Sequence, residues 1–436
     1  MMPTLDSEQI MALAPDASAA KAGKDQANPQ KWPTLGHNAQ AVWGECQGSS
    51  ATPYQTMVDL SEIAYHCTCP SRKFPCKHTL GLLLLLHEQP AAFTETIPLE
   101  RVTVWLAKRA QQREQRSATA TAPPTETADP TAQAKRASER YARTAAGLQD
   151  LELWLRDLMR QGLVSARSQP PTFWHTPAAR MVDAQAPGVA RRLRQMHTAL
   201  HAGADWSEQL LDQIGRLHLL IEGFKRFETL PAPVQADITN VLGWTVRQDD
   251  LLTEAGVRDT WLVTGQRVET EEKLQSQFTW LWGCTTQRSA LVLDFAFGNT
   301  PLDKSLVPDT CLDAELVFFP GNYPLRAFVK VRHTTTTSPN KRPGYPTIAA
   351  ALDAYSTAVA AFPWLERFPM LLNDVVPAVQ ATHWLVCDQL QRCLPCAPNG
   401  APYWRLLARS GGHSMDIFGE WDGQSFWPLG AWDVPH

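Results

Sequence analysis

The residues best suited to chemistry lie within twelve positions, Cys67-Thr-Cys69-Pro-Ser-Arg-Lys-Phe-Pro-Cys76-Lys-His78, a C-x-C-x6-C-x-H cluster. Three thiols and an imidazole at this spacing read as one tetrahedral zinc site. Zn2+ in a structural site takes four nitrogen or sulfur ligands, and Cys67, Cys69, Cys76 and His78 fill all four positions, leaving none for water or substrate. The chemistry is therefore expected to be structural, not catalytic. His66 and Cys46 are the neighbours that could replace one ligand. Arg72, Lys73 and Lys77, in or beside the ligand loop, favour the thiolate form. Metal binding at comparable sites supplies on the order of 10 kcal/mol or more of folding free energy. The module is expected to unfold without it.

The elements that position these ligands follow from local pattern. In a strand, residues i and i+2 share a face, so Tyr65, Cys67 and Cys69 are expected to align. Pro70 cannot extend a ladder, and residues 70–75 are expected to loop back and bring Cys76 and His78 over the first pair. From Thr79 to His87 the chain has no turn residue except Gly81 and is rich in helix formers, which predicts a helix with Cys76 and His78 at its mouth. Upstream, 41–46, 54–60 and 63–69 read as three short strands joined by turns. Residues 16–28 are small and polar and fit a helix or a surface segment.

C-x-C-x6-C-x-H entering a helix resembles the SWIM zinc finger. Trp43-Gly-Glu-Cys-Gln-Gly-Ser-Ser, together with Cys69-Pro-Ser-Arg-Lys-Phe-Pro-Cys-Lys-His78, resembles bacterial SWIM zinc finger family proteins. A looser likeness continues through Ala178-Ala-Arg-Met-Val-Asp-Ala-Gln-Ala-Pro-Gly188. The resemblance implies that Cys67, Cys69, Cys76 and His78 are the ligands of one structural Zn2+, in a module thought to bind DNA or protein partners. Bacterial proteins of this kind are often encoded near MoxR-type AAA ATPases and von Willebrand A proteins, which the resemblance offers as partners.

The rest of the chain is that of an ordinary globular protein: 436 residues, 44% hydrophobic and 19% charged, with room for about three domains. Its net charge of −4 argues against a chain built throughout for nucleic acid. Basic residues concentrate in 101–143, with nine basic and four acidic side chains. Within that stretch, 111–134 has three prolines and no large apolar residue, the composition of a disordered linker. Lys108, Arg109, Arg113 and Arg116 on one side, and Lys135, Arg136, Arg140 and Arg143 on the other, read as a solvated face, because no aromatic residues interleave with them. Nine cysteines are too few and too odd a count for a disulfide scaffold. The first twenty residues lack a basic n-region, and the apolar run 82–86 is too short for a membrane span. A reducing cytoplasm is the expected setting.

The predicted fold class is α+β and multidomain: a small zinc-stapled β-meander plus helix over 1–100, a basic flank and linker over 101–134, a helical domain over 135–260, and a mainly antiparallel α+β domain over 261–436. The helical assignment rests on the period of Leu148, Leu151, Leu155 and Leu158 and of Leu210, Ile214, Leu217 and Ile221. Arg191, Arg192 and Arg194 read as a solvated face. Beyond 261, short runs such as 278–284, 290–297, 403–408 and 415–421 read as strands, interrupted by a helix at 347–361. Most of the sixteen tryptophans fall in apolar patterns and are expected in cores.

Common phosphate, dinucleotide, protease and esterase motifs are absent, so no catalytic role is expected. Cys393-Leu-Pro-Cys396 reads as two unpaired thiols in a hairpin loop; a second zinc site with Cys387 and His413 or His383 is the sharper alternative. Two functions follow. One is a zinc-dependent interaction adaptor. The other is DNA or RNA binding through phosphate contacts from Arg72, Lys73 and Lys77.

Overall fold

The computed structural model describes residues 5–47, 52–60, 64–71, 73–119, 130–200, 205–244, 246, 248–271, 274–298, 302–337, 342–381, 383–397 and 403–433. The architecture is α+β: a strand region that carries the Cys/His cluster, then helices, then mostly antiparallel sheets.

Helices α1 (Ser7–Ala12) and α2 (Ala17–Gln26) each start on an aspartate, Asp6 or Asp16, whose carboxylate accepts a backbone N–H of the first turn. Residues 16–28 are thus largely a helix. Strands β1 (Thr34–His37), β2 (Ala41–Cys46), β3 (Tyr54–Asp59) and β4 (Ala64–Cys67) lead into α3 (Lys77–Glu88) and the short β5 (Thr94–Glu95). The sheet order is β4-β3-β2-β1-β5. Leu80 and Leu82 to Leu86 are all buried, because α3 packs on α1 and α2 as well as on β2, β3 and β4. A helix enclosed on all sides needs no polar face, which explains its run of leucines. Gly81 permits the close approach of α2: a Cβ there would sit 2.5 Å from Cβ of Gln26.

The proposed linker is helical where it is described. Helix α4 (Glu100–Thr119) and helix α5 (Pro130–Gln161) run into it from both sides; residues 120–129 lie outside the described set. Ala, Gln, Arg and Glu are good helix formers, and absence of large apolar residues does not prevent a helix. Near its start α4 buries Val102 and Leu106 against Trp43 and Met57. Arg109 lies 3.6 Å from the buried Asp59, and Arg140 stacks 4.4 Å from the Trp244 ring. These two basic residues are engaged within the molecule.

Helices α6 (Leu163–Arg167), α7 (Pro171–Asp183), α8 (Pro187–Ala199), α9 (Trp206–Lys225) and α10 (Ala232–Leu242) gather with α5 around one core that includes Leu151, Trp174, Met181, Leu193, Ile214 and Leu217. Short α11 (Gln248–Thr253) follows.

Strands β6 (Val257–Glu271), β7 (Leu274–Gly283), β8 (Ser289–Phe297), β9 (Thr310–Phe318) and β10 (Arg326–Thr337) close into a barrel in the order β6-β7-β8-β10-β9. All neighbours are antiparallel except β8 and β10. This closed five-stranded Greek-key order is the OB-fold arrangement. Trp261, Val263, Leu281, Ala290, Leu312 and Leu316 fill its interior.

The last region comprises α12 (Ile348–Ala361), β11 (Phe368–Gln380), β12 (His383–Cys387), β13 (Cys393–Pro395), α13 (Tyr403–Ser410), β14 (Met415–Trp421) and β15 (Phe426–Asp433), with sheet order β13-β12-β11-β14-β15. Residues 403–408, expected as a strand, form α13. Tyr403 and Ser410 are buried and Leu406 and Leu407 half-buried, a spacing of three and four that outweighs the β preference of Tyr and Trp.

This sheet lies on the barrel. Trp280 packs with Leu371, Phe418 and Trp432, and its indole N–H donates to Glu420 at 2.7 Å. Arg191 and Arg192, expected as part of a solvated face, instead tie α8 to the C-terminal region. Arg191 makes two hydrogen bonds to Glu366, at 2.7 and 3.0 Å, and Arg192 reaches Glu366 and the Trp364 carbonyl. The loop after α12 brings Glu366 to them; Arg194 stays exposed.

Candidate metal centre

Cys67 ends β4, opposite Thr56 of β3. The strand stops there, two residues before Cys69, so Cys69 does not share a strand face with it as expected. The return loop carries a cis Phe74–Pro75 bond and delivers Cys76 to the N-cap of α3, with His78 in the first turn. This is the helix mouth read from the sequence.

All four donor atoms lie within 4.8 Å of one another. His78 Nδ1 is 3.8 Å from Cys67 Sγ and 4.0 Å from Cys76 Sγ. A tetrahedron with Zn–S near 2.3 Å and Zn–N near 2.0 Å has edges of roughly 3.5–3.8 Å, so the cluster needs only slight contraction around one Zn2+. None of the four residues exceeds 8% exposure. Three sulfurs and one imidazole complete the shell of Zn2+ and leave no position for a substrate.

The surroundings suit thiolates. Cys76 is lowered to about 3, first by the hydrogen bond from the Cys67 thiol and also by those involving His78 and Thr79, against burial that raises it. Its place at the positive end of α3 acts in the same direction. Cys67 is pushed up chiefly because that same bond holds its proton, and Cys69 is pushed up by burial. The metal would displace these protons. Thr56 Oγ1 lies 3.2 Å from Cys67 Sγ and Thr79 Oγ1 3.4 Å from Cys76 Sγ. The Tyr54 ring covers His78 with centroids 5.0 Å apart. Sequence reasoning named none of these supporting residues. The one available signal was register: once β3 and β4 pair, Thr56 must face Cys67.

The alternative ligands are elsewhere. Cys46 is buried, 3.5 Å from Gln26 Oε1, and burial raises its pKa to about 11. His66 is exposed and paired with Met57. Of the three basic residues proposed for contacts, Arg72 lies outside the described set, Lys73 pairs with Asp16 at 2.7 Å, and Lys77 is exposed in the first turn of α3. A cavity of about 720 Å3 opens between α2 and the ligand loop, bordered by Cys69 and His78; Lys31, Lys73 and Lys77 line it, with Lys73 paired to Asp16, and among the described residues no carboxylate lines it.

Cys393 does not pair with Cys396, nor is it free as expected. It forms a disulfide with Cys387, its cross-strand neighbour, with Cα atoms 4.0 Å apart. Cys396 is a buried free thiol. His383 and His413 do not join them, and among the described residues no second group of three metal donors forms.

Residues 54–87 match the family model of the SWIM zinc finger. The chain carries a SWIM zinc finger. Residues 139–242, which run from within α5 to the end of α10, match the SWIM-associated four-helix bundle domain; the looser likeness at 178–188 falls inside it. No curated protein and no solved structure matches the chain. The finger and its Cys67, Cys69, Cys76 and His78 fit one structural Zn2+. Among the described residues, no helix is long and apolar enough to cross a membrane.

Proposed function

We propose that this SWIM-domain protein is a non-catalytic, zinc-dependent interaction adaptor of the cytoplasm. The observation that carries this reading is the closed, buried Cys3His shell: the metal holds a surface in place and offers no site for chemistry. The resemblance to SWIM proteins encoded beside MoxR-type AAA ATPases and von Willebrand A proteins supplies the class of partner. Purified without added zinc, the wild type should hold one zinc per chain and capture such an ATPase assembly; Cys76→Ser should lose both the metal and the capture. Zinc retained in the variant, or capture indifferent to it, would reject the reading.

A second reading, binding of DNA or RNA, is favoured by the lysine-lined cavity beside the zinc shell. Phosphate contacts release counterions, so affinity for an oligonucleotide should fall steeply between low and moderate salt. Lys73→Ala with Lys77→Ala should then weaken binding while zinc content stays at one. An apolar protein interface would show neither effect.

A further inference from the structure

Cys387 and Cys393 form a disulfide, while every other cysteine is a free thiol. Strand register explains why these two meet. Asp388 N–H donates to the Arg392 carbonyl at 2.9 Å, and Cys396 N–H to the Trp384 carbonyl at 2.8 Å. Hydrogen-bonded and non-hydrogen-bonded pairs alternate along an antiparallel ladder, so Cys387 faces Cys393 at a non-hydrogen-bonded position, where side chains stand closest. The ladder bonds on either side do not pass through the sulfurs. The two thiols therefore stay neighbours when the bond is open.

Burial sets the third nearby thiol apart. From Cys393 to Cys396 the residues alternate exposed, buried, exposed, buried, so Cys396 lies on the opposite face from Cys393. It packs in the core of the C-terminal region and does not compete for the bond. Cys393 is open to a thiol in solution. Arg392, exposed and next to it in the chain, adds positive charge that favours a thiolate arriving or leaving. Exposed disulfides are the ones that exchange readily with small thiols.

The bond closes the turn 388–392, whose first residue, Asp388, is 3% exposed. Its carboxylate accepts from the N–H groups of Leu390 at 3.0 Å and Arg392 at 2.9 Å within the turn. It also accepts from the N–H of Ile348, the first residue of α12, at 3.0 Å. One carboxylate thus ties the turn to the start of α12. The disulfide fixes the two ends of that turn.

We infer that Cys387 and Cys393 are a reversible thiol–disulfide exchange site for glutathione, and that the state of the bond sets how firmly Asp388 holds the start of α12. The inference rests on the cytoplasmic part of the proposed function, because disulfides of that compartment are mostly transient or redox-sensing. A glutathione thiolate attacks Cys393 Sγ. The Cys387–Cys393 bond breaks as the new S–S bond forms, and Cys387 leaves as a thiolate that takes a proton from water. A second glutathione thiolate attacks the glutathione sulfur of the mixed disulfide, and Cys393 leaves in the same way. Two glutathiones are oxidised to one glutathione disulfide while the protein gains two thiols. Closure is the reverse.

The test incubates the zinc-loaded full-length protein in mixtures of reduced glutathione and glutathione disulfide. Differential alkylation with mass spectrometry reads each cysteine separately, and hydrogen exchange reads the amides of 348 and 388–392. Cys387 and Cys393 should become free together in excess reduced glutathione and pair again as glutathione disulfide is added. Opening should speed exchange at 348, 390 and 392 at least about tenfold. Cys387→Ser with Cys393→Ser should exchange at the fast rate in every mixture. A bond that survives excess reduced glutathione, thiols that never pair, pairing of Cys393 with Cys396, or amide exchange indifferent to the bond would overturn the inference. Those outcomes leave the finger's role standing, because that role is read from Cys76→Ser and the ATPase assembly.

Discussion

A buried thiolate needs hydrogen-bond donors around it as much as it needs a metal. Cys67 has Thr56 at 3.2 Å, and that hydroxyl fixes the sulfur against β3 before zinc arrives. Thr56→Val keeps the side-chain shape and removes only the donor. Loss of such an outer contact typically costs 10–100-fold in metal affinity, so the variant should hold zinc about tenfold more weakly in competition with a chromophoric chelator, with unchanged secondary structure. Unaltered affinity would show the Thr56 contact to be incidental. The four ligands were legible in the sequence because zinc demands particular residue types at short spacing. Thr56 was not, because it stands eleven residues upstream of Cys67 and only strand register brings the two together.

Elements are joined by charged residues whose local sequence looks ordinary. Glu366, in the loop after α12, would have its pKa raised by burial, but Arg192 and Arg191 outweigh burial and hold it below its usual 4.5. A depressed carboxylate stabilises the fold above its unfolded pKa and loses that contribution as pH falls through the folded value. Wild type should therefore melt above Glu366→Gln at pH 7, by roughly 2 °C for a contribution of about 1 kcal/mol from a partly exposed network. The gap should close progressively below about pH 4.5. A gap independent of pH would place the effect in packing instead. No local pattern announces such a clasp: Arg191, Arg192 and Arg194 look like any solvated helix face until a loop some 170 residues later supplies the carboxylate. Helix α13 was misread for a related reason. Its Tyr and Trp favour strands, and the burial of Tyr403 and Ser410 on one face reveals the helical period.

At the scale of the whole molecule, the α+β class and the order of its regions were readable from periodicity, whereas closure of the barrel was not. It depends on β6 meeting β9 and on β8 meeting β10, pairings fixed by register between distant segments. The same separation of cores governs how the protein should respond to loss of zinc. The finger encloses its own apolar cluster, from Leu5 to Phe93, and among the described residues shares with the barrel only Val307. Polar ties between them include Gln9 to the Asp309 carbonyl at 3.2 Å and Lys304 to the Leu13 carbonyl at 3.0 Å. The bundle core draws on α5 to α10 and, among the described residues, takes nothing from the finger. Zinc binding worth on the order of 10 kcal/mol exceeds the net stability of most small domains. Excess chelator at neutral pH should therefore melt the finger alone. Calorimetry should show a low-temperature transition that disappears with chelator and returns on adding zinc, beside a higher one that barely moves. Far-ultraviolet circular dichroism should retain most of its helical signal, since α5 to α10 do not depend on the metal. A single transition that shifts as a whole would mean that the Val307 contact and the two polar ties couple the finger to the barrel strongly enough to unfold together.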